Sequence, residues 1–352
     1  PGFSEVLMRH RSARPAAVAA IAAIALVSSA CGDDSSTAIT TAAASQAEHS
    51  HDASETATTF PMTIENCGRS LEIKAPPKRV VGLDQISTEI LLELGLGDKI
   101  VGTANQSDPP FDAVATQYKA LKVLSANYPT AEEFVAAESD FVIGNIEFLS
   151  YSQEAGFGGA FTRDELTGQG VTSFALICNG ETDTQDLLFE RFAQLGMIFG
   201  VSDKADAVLD DVKASLAATA KVLQGAPAVP TLIYIDGSGP IQTLASDLSR
   251  AGGKNIIGPD EGNCCPPEIA VEVIADRAPE AILLSSFGNL DPSGPSVEEK
   301  KSKLAATLPT VPAVTKSRYL SIDFIAFSTP ARLARDAITI GKFLHPDLTF
   351  PS

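Results

Sequence analysis

Two periods of hydrophobicity alternate along the chain. In "KRVVGLDQISTEILLELGLGDKIVGT", residues 78–103, Arg79–Leu83 is a short apolar run of the kind that forms a buried strand. Ile90, Leu91 and Leu94 then share one helical face, and Gly95 and Gly97 supply a stop signal. Ser87 stands where a helix cap belongs, with Glu89 placed favourably against the helix dipole. A second strand, Ile100–Gly102, follows at once. The result is a compact βαβ unit whose turn, Asp84-Gln85-Ile86, lies at a strand's carboxyl end, the edge where open α/β sheets bind ligands.

The alternation continues. Phe60–Ile73 reads as two strands around a Cys-Gly turn. Thr130 and Glu133 form a capping box for a helix running to Glu138, and Phe141–Gly144 is a strand. A helix from Thr162, a strand at Val171–Leu176 and an amphipathic helix over Asp183–Phe199 come next. Ser202 then caps a helix over Asp203–Gln224, with Ala205, Val208, Leu209, Val212, Leu216, Ala220 and Leu223 at helical spacing. About 22 residues at 1.5 Å each reach roughly 33 Å, long enough to run along two lobes. Beyond it, Thr231–Ile235 is a strand, "LSRAGGKNIIG" (248–258) reads as a helix ending in glycines, and "PPEIAVEVIADRAPEAILLSSF" reads as helix then strand. "AEEFVAAESDFVI" and "VEVIADRAPEAILL" share one pattern of acid, apolar helix, acid, turn and buried strand. Glu132 and Glu272 correspond at a separation of 140 residues, as do Phe141 and Ala281. Two lobes built alike and joined by one long helix is the economical reading.

The first segment changes the picture of where the protein works. Met8-Arg9-His10-Arg11 begins a basic region, Pro15–Val27 is apolar but short for a bilayer span, and "VSSACGDD" follows. This resembles a bacterial lipoprotein signal with Cys31 as the lipidated residue; it departs from the usual pattern at Ser28, where such signals carry Leu. Residues 1–30 are therefore expected to be a signal peptide and 31–59 a solvated tether of Ser, Thr, Ala and acids, an extracytoplasmic chain lipid-anchored at the membrane's outer face. His49 and His51 in the tether read as solvated polar residues. The 352 residues carry 26 Lys and Arg against 44 Asp and Glu, a net charge of −18 that argues against nucleic acid as a partner.

"PKRVVGLDQISTEILLELGLGDKIVG", the helix–strand repeats, "LGMIFGV", "AGGKNII" and the closing "LHPDL" together resemble the helix-backbone class of periplasmic binding proteins. These are the solute-binding lipoproteins of ABC importers for ferric siderophores, haem and cobalamin. The resemblance implies an α/β fold of two Rossmann-like lobes, residues 60–200 and 227–352, bridged by a helix at 201–226, with the ligand cleft between them. It implies a monomer that hands a small-molecule iron chelate to a permease dimer. It also implies that one exposed Glu on each lobe, here Glu132 and Glu272, meets basic residues of that permease.

Ligands of the family lie against the loops that follow the strands. Those loops supply Asp84, Gln85, Asn105, Gln106, Tyr128, Asn145, Phe148, Asp236, Cys264, Cys265, Phe287 and Phe324, a set of amides, acids and aromatics with almost no Lys or Arg. Arg163, Arg332 and Arg335 fall on predicted helices beside the loops and are expected at the surface. A bare transition metal wants clustered His or carboxylates, and His345 is the only histidine of the folded part, so no metal site or cofactor is expected. Cobalamin sites of the family lean on tryptophan, which is absent here, while Tyr128 or Tyr151 keeps haem open. A ferric siderophore needs only shape, stacking and hydrogen bonds, and without arginine forks a neutral or cationic hydroxamate type fits better than an anionic catecholate. No nucleophile–His pair, G-x-S-x-G or Walker loop appears, which argues against an enzyme. A structural lipoprotein remains the other alternative.

Setting aside Cys31, four cysteines remain. In an oxidising compartment the expected pairing is Cys67–Cys178, tying the first hairpin to a strand end. Cys264 and Cys265 are read as a vicinal bridge lining the cleft, as two free thiols, or as a thiolate pair for a soft metal such as Cu(I).

Overall fold

The computed structural model describes residues 59–146, 162–178, 181, 184–235, 241–243, 248–258, 268–286, 288–290 and 293–351. The chain enters through a hairpin, β1 (Met62–Asn66) and β2 (Arg69–Ile73), paired antiparallel. Its two-residue turn puts Cys67 (φ 55°) and Gly68 (φ 70°) in the left-handed region, which matches the twist of the flanking strands. Cys67 is disulfide-bonded to Cys178, with Cα atoms 5.1 Å apart. The buried Asn66 docks the same hairpin, accepting from Ala175 N at 3.0 Å and donating to Ala175 O at 2.8 Å.

A parallel five-stranded sheet follows. Its elements are β3 (Val80–Gly82), α1 (Gln85–Glu93), β4 (Ile100–Ala104), α2 (Ala115–Lys119), β5 (Val123–Ser125), α3 (Ala131–Ala136), β6 (Phe141–Ile146), α4 (Arg163–Gly168) and β7 (Thr172–Ile177). The strand order is β5-β4-β3-β6-β7. Then α5 (Gln185–Phe199) ends at Gly200 (φ 67°), and α6 (Ser202–Leu223) is the 22-residue helix that joins the two sheets.

The second sheet contains β8 (Val229–Ile235), β9 (Ile241–Thr243), β10 (Gly253–Asn255), β11 (Glu268–Ile269), β12 (Ala281–Leu284) and β13 (Tyr319–Ser321). Its helices are α7 (Val271–Arg277), α8 (Val297–Thr307), α9 (Pro312–Thr315) and α10 (Pro330–Leu344). The order is β11-β9-β8-β12-β13, with β10 parallel to β8 at its amino end and β9 antiparallel at its carboxyl end. The internal repeat is geometric as well as sequential: α3 and α7 begin 140 residues apart, and so do β6 and β12.

Four local expectations are corrected, the first being the cap of α6: the cap position is Val201, with no side-chain cap bond, and Ser202 is the first helical residue. The cap of α1 is Asp84, whose carboxylate accepts from Ser87 N; Ser87 lies in the first turn. Residues 248–258 are not a helix: Ser249–Ala251 makes one 3-10 turn, Gly252 (φ 73°) ends it, and β10 pairs with β8. The helix expected to reach Glu138 stops at Ala136, with Glu138 in the left-handed region at φ 48°.

The largest apolar cluster is not confined to the first sheet. Phe141, Phe174, Ile90, Phe192 and Leu195 are joined by Leu209 and Val212 of α6 and by Ile325 and Leu333 from the far end of the chain. The second lobe thus contributes side chains to the first lobe's core, while Leu232, Ile282, Leu284 and Leu304 build a separate cluster beneath the second sheet.

Candidate functional site

In each lobe the first strand has a following strand on either side, so the order reverses between β3 and β6 and again between β8 and β12. Ligands of doubly wound sheets bind outside the carboxyl ends of strands at such reversals. At the first, Asp84 follows β3 in extended conformation (φ −149°). Its Oδ1 accepts from Ser87 N at 2.8 Å and its Oδ2 from Asn145 N at 2.6 Å, tying the end of β6 to the turn after β3. Burial pushes the Asp84 carboxyl up despite these hydrogen bonds.

Gln85 is buried beside it. Its Oε1 accepts from Ser107 N at 3.1 Å and Asp108 N at 2.8 Å, and its Nε2 donates to Glu89 at 2.8 Å. The side chain therefore shapes the loop after β4. On that loop Asn105 is half-buried in the left-handed region (φ 48°), and Gln106, also half-buried, donates to Asp108 O at 3.0 Å. Tyr128 is half-buried against the Val81–Leu83–Phe134 cluster, and Asn145 is half-buried at the end of β6.

Beside these loops a polar seam joins the two lobes. Asp108 accepts from Phe324 N at 3.1 Å and Ile325 N at 3.3 Å. Asn289 N donates to Ser107 O at 2.6 Å. Gly288 (φ 54°) permits this approach, since a Cβ there would run into the Ser107 carbonyl oxygen. Arg332 grips Glu89 in a two-pronged pair, Nε–Oε2 2.6 Å and Nη2–Oε1 2.8 Å, with both side chains fully buried. Its remaining nitrogen bonds Asp323. Glu93 accepts from the Thr329 hydroxyl at 2.6 Å and from Ala331 N at 3.2 Å, and burial raises its pKa to about 7. Phe324 packs against the first lobe's core from this seam.

The second reversal carries a cation. Lys300, on α8, is 1% exposed and donates to Ser285 O at 2.7 Å and to Ser286 Oγ. Ser285 N in turn donates to Tyr234 O at 2.8 Å, holding the end of β12 to β8.

Of the residues expected at the cleft, the structure brings Asp84, Gln85, Asn105, Gln106 and Asn145 to the first reversal or the adjoining loop, with Tyr128 beside the β3 residues and Phe324 on the seam. Asp84 and Gln85 have their polar atoms engaged within the protein; Asn105, Gln106, Tyr128 and Asn145 retain exposed surface. Phe148, Tyr151, Asp236, Cys264, Cys265 and Phe287 lie outside the described residues, as do Cys31, His49 and His51. The surface placement of Arg163 and Arg332 is corrected. Arg163 is buried on Asn66 Oδ1 (2.9 Å) and Ser173 O (2.7 Å), and Arg332 on Glu89. Arg335 is half-exposed and pairs with Asp323 and Asp336. Lys300 escaped the sequence reading altogether. Among the described residues no group of three or more His, Cys, Asp or Glu is arranged to hold a metal ion.

The architecture is that of two α/β lobes joined by one helix, and the comparisons agree with it. The model of the periplasmic binding protein family matches residues 80–326, and the chain belongs to that family. An uncharacterized ABC transporter substrate-binding lipoprotein of Bacillus subtilis is 25% identical over 158 residues, covering 45% of this chain and 46% of that relative, so the match spans about half of each. A periplasmic binding protein from Veillonella parvula superposes with a TM-score of 0.69 at 24% identity, covering 81% of this chain and 97% of that one. An ABC-type Fe3+-hydroxamate transport protein from Saccharomonospora viridis gives 0.63 at 19% identity, covering 81% and 99%. A periplasmic haem-binding protein from Pseudomonas aeruginosa gives 0.60 at 22%, covering 78% and 95%. At these identities the solved structures establish the fold alone. Among the described residues no helix is long and apolar enough to cross a membrane.

Proposed function

We propose that this protein is the extracytoplasmic solute receptor of an ABC importer, lipid-anchored through Cys31, that captures a neutral or cationic ferric siderophore of hydroxamate type and delivers it to a permease dimer. The observation that carries the ligand class is the fate of the arginines. Arg163 and Arg332, which an anionic catecholate would need as forks, are buried and held by Asn66, Ser173, Glu89 and Asp323. Among the described residues, Asn105, Gln106, Asn145 and Tyr128 beside the first reversal keep exposed surface, with Asp323 and Phe324 half-buried opposite; amides, an acid and aromatics suit an oxygen-rich shell without negative charge, such as that of a trihydroxamate. The similarity to the hydroxamate transport protein of Saccharomonospora viridis supports the same reading. Iron travels within the ligand, and no resident cofactor is assigned.

The test is native mass spectrometry of the full chain in detergent, exposed in turn to a ferric trihydroxamate, a ferric triscatecholate, haem and cobalamin. Retention of the trihydroxamate is expected. Retention of the triscatecholate alone overturns the ligand class, and haem alone moves the protein to the haem receptors of this fold, with Tyr128 as a candidate axial group.

A further inference from the structure

At the second strand-order reversal a buried ammonium group is bonded to the hydroxyl of a half-buried serine. Lys300 Nζ donates to Ser285 O and to Ser286 Oγ, and the lysine is only 1% exposed. An ammonium group has donors and no acceptor, so it takes up lone-pair capacity on the serine oxygen. The hydroxyl hydrogen of Ser286 is then left to donate elsewhere, and the adjacent positive charge polarises it, strengthening whatever bond it makes. Ser286 is half-buried, two residues beyond the buried end of β12. Two residues further on the chain meets the other lobe, where Gly288 and Asn289 rest on the Ser107 carbonyl. Ser286 is thus at the sheet's carboxyl edge, two residues from the seam where the lobes meet.

From this placement we infer that Ser286, oriented and polarised by Lys300, is a specificity-determining hydrogen-bond donor that selects a ligand presenting an acceptor oxygen. Lys300 acts through the serine as a positioning residue. The inference rests on the proposed receptor function and adds to it the group that reads the ligand's oxygen shell. It also explains how a site whose arginines are buried or tied to carboxylates can favour oxygen ligands: the cation stays in the protein interior and its effect is delivered through a neutral hydroxyl. A neutral chelate then gains a strong donor without the desolvation of a bare charge facing it.

The experiment is calorimetric titration of a neutral ferric trihydroxamate into the full chain in detergent, for wild type, Ser286→Ala, Ser286→Thr and Lys300→Met. Loss of one charge-assisted hydrogen bond predicts about tenfold weaker binding in Ser286→Ala. Ser286→Thr, which keeps the hydroxyl, should bind within about threefold of wild type on the same reasoning. Lys300→Met, which leaves the hydroxyl without its polarising cation, should weaken binding by no more than Ser286→Ala; Ser286→Ala decides the matter if the lysine variant does not fold. Wild-type affinity in Ser286→Ala overturns the inference and leaves the receptor function standing. If wild type does not bind the chelate, the hydroxamate reading fails, and the donor is judged on acetohydroxamic acid by amide NMR. A shift of the Ser286 amide in wild type that is lost in Ser286→Ala sustains the donor; no shift, or the same shift in both, overturns it.

Discussion

The two strand-order reversals occupy equivalent places in the two lobes and carry opposite chemistry. In the first lobe β3 and β6 diverge at Asp84, a carboxylate that caps α1 and takes the Asn145 amide. In the second, β8 and β12 diverge at Ser285, whose carbonyl takes a buried lysine. The sheets differ in company as well. The first is parallel throughout, whereas β9 turns antiparallel against the carboxyl end of β8 and leaves β10 only its amino end. The repeat thus sets where each loop emerges, and the chemistry of each loop is settled separately. The seam follows the same division: the first lobe supplies Glu89, Glu93 and Asp108, and the second answers with Arg332, the Thr329 hydroxyl and three backbone amides.

The most severe way to break this complementarity is Arg332→Met. It leaves Glu89 buried with Gln85 and the Phe111 amide as donors, and removing one partner of a buried pair costs about 3–5 kcal/mol. Arg335→Met, itself half-exposed but paired with both Asp323 and the buried Asp336, should cost less, about 1–2 kcal/mol. Urea denaturation of the two variants side by side measures the contrast; equal losses would mean that the seam does not depend on the buried pair.

Gly288→Ala attacks the seam from the other lobe. A left-handed backbone and the Ser107 carbonyl both oppose the new methyl, and about 1–3 kcal/mol should be lost. Gly95→Ala, also left-handed (φ 77°) but in open space, should lose less, because it bears only the backbone penalty. If both variants fall equally, the close approach of the lobes contributes nothing to stability.

Glu93 gives a pH dependence. Its folded pKa of about 7 lies above the ordinary carboxylate value, chiefly because burial penalises its charge, with Glu89 adding to the rise and Thr329, Ala331 and Arg332 opposing it. The folded state therefore holds a proton that the unfolded chain has released, and the stability this brings is complete below about pH 4.5 and lost as pH rises through 7. Glu93→Gln should flatten that fall, by on the order of 1–3 kcal/mol between pH 5 and 8 relative to wild type. Parallel stability curves for the two proteins would refute it. Asp84 and Asp108, also raised by burial, act in the same direction and are common to both proteins, so they cancel in the comparison.

The βαβ unit at 78–103 was legible because its signals are local: an apolar run, a helical face and two glycines. The cap was misplaced because Asp84 and Ser87 are both capping types three residues apart, and only geometry shows whose side chain accepts. Residues 248–258 misled because the apolar and small residues before Gly252 suit a helix, while pairing with β8 is a nonlocal matter. Arg332 looked like any helix-surface arginine; its partner Glu89 is 243 residues away. Lys300 was hidden for a similar reason, in the charged helix "VEEKKSKLAAT", where nothing marks one lysine as the buried one.

The last prediction turns on what the lobes have in common. Glu132 and Glu272 are each the second residue of their helices, both exposed, at equivalent points of the repeat. A carboxylate there is favoured by the helix dipole, and that alone would account for either residue. It does not require the pair to match across lobes whose other charges differ so much. A permease with two similar halves would require it, since each half would meet the same group. Exposed charges of this kind govern encounter and orientation rather than ligand affinity. The double variant Glu132→Arg and Glu272→Arg should therefore change stability by no more than about 0.5 kcal/mol and leave chelate binding as in wild type. Uptake of radiolabelled ferric trihydroxamate by cells expressing it should nevertheless be abolished, with each single variant intermediate. Undiminished uptake by a well-expressed double variant would reduce the matched glutamates to helix-terminal acids, and weakened chelate binding would place them within reach of the cleft.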